Sequence, residues 1–527
     1  MSLPTDPFRA VPLLLLTAPE SDLSAFLMEA DALIRFCPAL LGLVDADLDA
    51  HGCRKKETRE ADARWIAEKN MRLRGMEPND AEIRAKPAVL QQGRPRTPAY
   101  AVLMAVLLRG YFGAGFKARP VESSMTESVT FLLLLRNLGI RMPGQSTLTE
   151  LANAVSNSTR QRILDAQAAQ VLHLGLDDFT TMLQDSTHVE GNTQWPTDSR
   201  LMVSLAARLL RFGASLPRLQ LPVVDAPSAR TALNEMVALD REIDMSHGKK
   251  DGARARRRRY EKLLRRARRV RRQLAPQVAA LAGHIEALDV RPSRRLAAQQ
   301  AAWLMQNDLD ALATVIENCE ARVLHEQKVP MSQKVLSISD PDAGFIAKGQ
   351  REPVIGYKPQ LARSGNGFIT GLLLPRGNGA DSMVLVPMAD EVMRRTGVKL
   401  KVLSVDDGYA SAENVLEIKA RGIEVTSING AKGKALTAKA DWDSDAYRDA
   451  RNQRSAAESL MFTLKQGFHF GEVARRGLQA AHAEMLEKAI AYNICHLTRV
   501  RLAAAEAARK TAATAAEQSE TAPSLAA

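Results

Sequence analysis

"LKVLSVDDGYASAENVLEIKARG" occupies residues 400–422. The run from Leu400 to Val405 alternates as a half-buried strand does and ends on Asp406. "SAENVLEIKARG" (411–422) reads as a helix closed by Gly422, a residue that supplies the left-handed C-cap at no steric cost. "IEVTSI" (423–428) is again a strand. Strand, helix and strand in that order predict a crossover unit in an α/β sheet.

Working outward, more of the same sheet is predicted. "FTTMLQD" (179–185) is β-branched and apolar and ends on a carboxylate, as a short buried strand would. "VLSIS" (335–339), "VIGYKPQLA" (354–362) and "FITGLLL" (368–374) read as strands, with "RSGNG" as a hairpin turn between the last two. Pro359 argues for an edge or a break in the middle one. A helix is expected from about Ser382 to Thr396, and another over "RNQRSAAESLMFTLK" (451–465). The fold class is therefore a mixed α/β sheet.

Residues 1–175 read as a helical N-terminal domain, with apolar periodicity in "AYAVLMAVLLRGYF" and "SVTFLLLLRNLGI" and a helix start in "PGQSTL" (143–148). The sheet-bearing core is expected at 176–198 and 329–500, and residues 199–328 as a helical insertion between its first and second strands. After Arg501 an Ala-, Thr- and Glu-rich tail, 501–527, is expected to fray into disorder.

Apolar runs such as Val11–Leu16 and Phe131–Leu135 are far shorter than the ~18 residues a membrane span needs. The four cysteines (Cys37, Cys53, Cys319, Cys495) have no CxxC spacing, so neither a zinc knuckle nor a disulfide framework is suggested, and a reduced cytosolic compartment fits. "GNG" and "GAKGKA" lack the P-loop spacing, which argues against ATP use.

The net charge of +12 is concentrated. From Lys249 to Arg272, 14 Lys or Arg stand against Asp251 and Glu261, so this segment alone carries +12. Neutralising several phosphates releases counterions and gives salt-dependent attraction to nucleic acid. Arg256, Arg257, Arg258, Arg259, Arg265 and Arg266 are the expected DNA contacts.

In an open α/β sheet, ligands gather beyond the carboxyl ends of central strands. Asp185 and Asp406 each occupy such an end. On the helix of 451–465, Arg451, Arg454, Glu458 and Lys465 share one stripe, since each residue advances by ~100°. A helix bringing Glu458 alongside the two aspartates would complete an oxygen-rich site for Mg²⁺ or Mn²⁺. Two such ions would activate a nucleophile and stabilise the leaving oxygen of a phosphodiester displacement.

The sequence resembles the DDE transposases of bacterial insertion sequences, whose catalytic domain has an RNase H-like fold. The likeness is carried by "QDST" (184–187), "DDGYAS" (406–411) and the spacing of Arg454, Glu458 and Lys465. That spacing matches the Arg, Glu and Lys of the Tyr-Arg-Glu-Lys signature of one large branch. The tyrosine position holds Arg451, a departure that bears on the tyrosine's DNA contact rather than on the metal site. "GRPRTPAYAVLMAVLLRGYF" (93–112), with "PGQSTL", is similar to the helical N-terminal region of such enzymes, so the resemblance covers 93–198 and 334–500.

The resemblance implies Asp185, Asp406 and Glu458 as catalytic residues and ligands of two Mg²⁺ (or Mn²⁺) ions, with Arg454 and Lys465 contacting DNA near the cleaved end. Asp407 competes for the second position; the family pattern of Asp, any residue, Gly, Tyr favours Asp406, since Gly408 and Tyr409 fix the register. The expected partners are double-stranded DNA, as terminal inverted repeats and as target, and a second copy of the chain in a homodimer. The expected location is the bacterial cytoplasm, on the nucleoid when bound. The helical N-terminal domain is expected to bind DNA ends.

Rival readings are a nuclease of the same fold that does not join strands, and an inactive DNA-binding descendant. His188, Glu190, Asp198, Trp195 and the adjacent Cys495 and His496 read better as structural residues than as ligands.

Overall fold

The computed structural model describes residues 22–79, 96–113, 133, 135–136, 139–140, 144–246, 252–347 and 352–520. The apolar run at Val11–Leu16, Pro143, the segment Lys249–Asp251 and residues 521–527 lie outside them.

Among the described residues five helices come first: α1 (Asp22–Phe36), α2 (Ala39–Leu73), α3 (Ala99–Phe112), α4 (Gln145–Ala154) and α5 (Asn157–His173). Strands β1 (Thr181–Ser186) and β2 (Val189–Glu190) follow. Four helices intervene: α6 (Asp198–Ser215), α7 (Pro227–Asp244), α8 (Gly252–Ala287) and α9 (Pro292–Cys319). Then come β3 (Gly344–Ile346), β4 (Val354–Tyr357), β5 (Gln360–Ser364) and β6 (Ile369–Leu373). Helix α10 (Leu385–Thr396), β7 (Val402–Asp406), α11 (Ala412–Ala420) and β8 (Val425–Asn429) complete the crossover units. Five helices end the chain: α12 (Ala431–Leu436), α13 (Lys439–Trp442), α14 (Asp445–Gln453), α15 (Ser455–Gly467) and α16 (Leu478–Glu520).

The chain divides into two compact units, one of residues 1–49, 96–192 and 346–527, the other of residues 50–95 and 193–345. Of the region read as helical over 1–175, residues 50–79 belong to the second unit. In the first unit α3 is buried from Ala99 to Gly110 and packs on α16. A buried ion cluster fixes that packing. Glu487 of α16 accepts from Arg109 Nε and Nη2 at 2.8 and 2.6 Å and from Arg160 Nε and Nη2 at 2.9 and 2.6 Å, and it also pairs with Arg475. A carboxylate taken out of water needs such partners, and here it has three.

The first unit holds a five-stranded sheet in the order β6-β5-β1-β7-β8. β1 runs antiparallel to β5 and parallel to β7, and β7 runs parallel to β8. One face buries Met182, Leu403, Val405 and Ile428 against Met388 and Val392 of α10 and Ile418 of α11. On the other, Phe179 and Phe368 pack on Val171 of α5 and Leu497 of α16. This mixed sheet between helical layers is consistent with an RNase H-like core.

The second unit is a bundle in which α6 to α9 bury Leu205, Leu209, Met236, Leu263, Leu274 and Leu312 in one core. α6 is tied to α9 by Arg208, whose Nε donates to the buried Asp308 at 2.6 Å. Residues 50–73 of α2 join this unit through Asp62, which caps Ser293 at the start of α9.

Three expectations differ. Residues 335–339 form no strand, and "VLSIS" follows a single short turn at Met331–Gln333 instead. The helix expected over 451–465 is broken at Arg454 into α14 and α15. Helix α16 runs on through 501–520, where fraying was expected, in keeping with the high helix propensity of its alanines.

Candidate active site

Asp185 and Asp406 stand side by side. The parallel pairing of β1 with β7 sets Met182 against Leu403 and Leu183 against Ser404, so two residues on Asp185 is level with Asp406 at the carboxyl ends of both strands. Neighbouring strands lie ~4.8 Å apart. Residues level in a parallel pair project from the same face, which places both aspartates on one face of the sheet. Asn429, at the end of β8, is level with Asp406 on its other side.

The helices that carry the third carboxylate cover this same face and edge. Asn429 Nδ2 donates to the carbonyl of Arg451 at 3.4 Å, at the end of α14. Arg363, which pairs with Leu183 two residues before Asp185, reaches the carbonyl of Ala456 in α15 at 2.6 Å. α15 is held down by its apolar stripe of Ala457, Leu460, Met461 and Leu464, all buried. Glu458 is adjacent to this stripe and solvent-facing: its side chain is 63% exposed and its Oε1 accepts from Arg454 Nη2 at 2.7 Å and Nη1 at 3.3 Å. Lys465 is half-buried near the far end of the same helix.

The expected set of three carboxylate ligands is therefore not closed. Among the described residues no group of three or more His, Cys, Asp or Glu is arranged to hold a metal. The physical reason is on the helix itself. A guanidinium at i−4 is the nearest charge Glu458 can reach, and it takes the carboxylate.

A second aspartate, Asp381, lies close to Asp406 across Gly408. Gly408 leaves a cradle: a Cβ on it would lie 3.0 Å from Asp406 Oδ1 and 3.2 Å from Asp381 Oδ2. The Asp406 carboxylate also accepts from Gly408 N at 2.9 Å, which pins the turn after β7. Asp407 points elsewhere. Its Oδ1 accepts from Gly433 N at 2.9 Å in the first turn of α12, and it fills the space beside Gly430, where a Cβ would fall 2.4 Å from its Cγ. Gly430 has φ of +137°, a backbone conformation that L side chains rarely adopt.

Asp381 was missed by sequence reading because an aspartate four residues before an apolar-periodic helix reads as an N-terminal acid and no more. It accepts from Gln360 Nε2 at 2.6 Å and Lys358 Nζ at 2.8 Å, both largely buried. Gln360 in turn accepts from the hydroxyl of Tyr409, which is fully buried. Burial, then the charges of Asp381, Asp185 and Asp406, push the Tyr409 phenol far above its ordinary value, and a hydrogen bond with Ser186 opposes this. All three aspartates lie near enough to this hydroxyl to bear on it.

Three of the remaining candidates have partners within the fold. His496 Nε2 sits 2.7 Å from the carbonyl of Asn366 and its ring stacks on Tyr492. Asp198 pairs with Arg322 at 3.1 Å. Trp195 meets Phe345 edge-on at 6.1 Å. In the second unit, three of the arginines expected on DNA are held by acids. Arg257 approaches Glu326 at 3.7 Å, Arg259 pairs with Glu242 at 2.9 Å, and Arg266 pairs with Glu235. Arg256 is half-buried, whereas Arg258 and Arg265 are exposed.

No helix among the described residues is long and apolar enough to cross a membrane. No curated protein and no solved structure matches the chain. Residues 313–494 match the family described as the transposase DDE domain. The match takes in Asp406, Glu458, Arg454 and Lys465, while Asp185 precedes it across the helical block. With two aspartates level on adjacent parallel strands and a glutamate helix on the same face, the match supports a DDE transposase.

Proposed function

We propose that the protein is the transposase of an insertion sequence, which cleaves DNA at the terminal inverted repeats of its element and joins the freed 3′-hydroxyl to target DNA. The observation that carries this reading is the level placement of Asp185 and Asp406 within a chain whose residues 313–494 match a transposase DDE domain. Asp185 and Asp406 would hold Mg²⁺ or Mn²⁺, two ions per site, and Glu458 would join them by leaving Arg454. Such ions lower the pKa of an attacking water or hydroxyl and neutralise the leaving oxygen.

The side chains do the rest by position and charge. Once Glu458 turns to the aspartates, Arg454 is released to grip a DNA phosphate, and Lys465 adds a second contact farther along α15. The proton-bearing Tyr409 and the Asp381–Lys358 pair hold the Asp406 turn in place. The helical N-terminal domain read over residues 1–175 would seat the element ends, and two copies of the chain would process two ends together, on the bacterial nucleoid. No covalent protein intermediate is involved, so no Ser, Cys or Tyr nucleophile is assigned.

The test is cleavage of a duplex carrying the inverted repeats that flank the gene, with Mg²⁺ or Mn²⁺, followed by transfer from pre-cleaved ends. Cleavage with transfer is the expected result. Cleavage without transfer would leave the simple nuclease, and metal-dependent binding with neither would leave an inactive binding protein.

A further inference from the structure

Nine of the eleven arginines of α8 fall into sectors, and Arg256 and Arg271, at about 160° and 220°, lie outside them. Taking Arg258 as 0° and ~100° per residue, the core residues Leu263, Leu264, Ala267, Val270, Leu274 and Leu281 cluster between about 120° and 240°. Arg259 and Arg266 flank that face at about 80–100°, and Arg257 and Arg268 flank it at about 260–280°. These four pair with Glu242, Glu235, Glu326 and Glu320, so they clamp α8 into its bundle. Arg254, Arg258, Lys262, Arg265, Arg269 and Arg272 occupy the arc from about 320° to 40°, opposite the core. All six are exposed, and none pairs with an acid among the described residues.

We infer that this six-cation stripe is a docking surface for the phosphate backbone of double-stranded DNA, while the flanking arginines are structural. From Arg254 to Arg272 the stripe is ~27 Å long at 1.5 Å per residue. A duplex of that length presents about 16 phosphate charges, so a row of six cations meets a continuous polyanion rather than one isolated phosphate. Five of the six are guanidinium groups, whose planar fork suits phosphate oxygens. Two other polyanions fit worse. Single strands are gripped by aromatic platforms, and the stripe holds no aromatic residue. An anionic membrane takes a helix whose apolar face is available for insertion, and that face of α8 is already buried in the bundle core.

The inference rests on the proposed action on DNA only for its ligand, and its test shares no step with catalysis. Binding of a random-sequence duplex without inverted repeats is measured in EDTA over 50–200 mM salt. Changing all six residues to Gln is expected to flatten the slope of log K against log[salt] by about 5, at roughly 0.9 per phosphate contact. Changing only Arg258, Arg265 and Arg272 should flatten it by about half as much, which keeps the test open if the sixfold variant folds poorly. Both variants should melt as the parent does. Arg259→Gln with Arg266→Gln should instead lower the melting temperature and leave most of the slope. An unchanged slope in the stripe variants overturns the inference. So does a larger loss of binding to a single strand, or to phosphatidylserine vesicles, than to duplex. A flattened slope in a chain that never cleaves DNA would leave the inference standing and remove the proposed function.

Discussion

Arg454 Nη2 lies 2.7 Å from Glu458 Oε1, so the guanidinium assigned to DNA and the carboxylate assigned to the metal neutralise each other. The pair is one helical turn apart and the glutamate is mostly exposed, which limits its strength to about 0.2–0.5 kcal/mol. Such a latch opens easily.

Glu458→Gln is expected to abolish cleavage while changing affinity for inverted-repeat DNA by less than about twofold, since the amide can stay beside Arg454. Arg454→Gln frees the carboxylate. It should tighten Mn²⁺ binding to the DNA-free protein by no more than about twofold, the worth of the latch, and weaken DNA-end binding. Titration calorimetry and gel-shift measurements read both. Wild-type cleavage by Glu458→Gln would remove that residue from the site.

Asp406 and Asp407 are adjacent in sequence but separable by substitution. Asp406→Asn should eliminate cleavage with little loss of stability, because its oxygen can still accept from Gly408 N. Asp407→Asn should retain activity and cost about 0.5–2 kcal/mol, the usual worth of a side-chain cap, as its bond to Gly433 N in α12 weakens. Thermal melts alongside a cleavage assay decide the matter; the reverse outcome would move the metal ligand to Asp407.

The acid limb of stability should belong largely to Glu487. Burial alone would raise its pKa, but Arg109, Arg475 and Arg160 outweigh burial and hold the carboxyl well below its ordinary 4.5. Folded protein therefore keeps this charge to lower pH than unfolded chain does. The stabilisation is present above pH 4.5 and is lost as pH falls from there through the folded value. Glu487→Gln leaves Arg109 and Arg160 buried against a neutral amide, which costs about 3–5 kcal/mol at neutral pH. The variant should melt lower at pH 7 and lose less than the parent on acidification. Equal melting temperatures at pH 7 would mean that the cluster does not hold α3 and α5 to α16.

Strand ends were legible in the sequence because burial and a terminal carboxylate coincide at Gln184–Asp185 and Val405–Asp406. The break at Arg454 was not, since the wheel of 451–465 is continuous, and the contact made there, from Asn429 Nδ2 to the carbonyl of Arg451, comes from the distant strand β8. "VLSIS" has strand composition but no neighbour in the sheet, and composition alone does not supply one. The division of α8 into clamping and exposed arginines depends on Glu235, Glu242 and Glu320, which lie on other segments. Charge counting within the helix sees none of them. Asp381 was hidden for a similar reason: its partners Lys358 and Gln360 flank a proline some twenty residues earlier, and only the folded sheet brings them together.

Asp381 is a positioning residue in this scheme, acting through the Asp406 turn. Asp381→Asn keeps its shape but leaves Lys358 with a neutral partner, and the side chain of Lys358 is only 10% exposed. A buried ammonium without its counter-charge costs about 3–5 kcal/mol. Removing both charges, in Lys358→Met with Asp381→Asn, should recover part of that loss, because the penalty comes from the orphaned charge rather than from the missing bond. Activity should behave differently from stability. Both variants lose the negative charge beside Gly408, so both should need several-fold more Mg²⁺ for half-maximal cleavage, and the double variant should regain stability without regaining metal affinity. Recovery of both together would make the pair purely structural, and Asp406 would then hold its place without it.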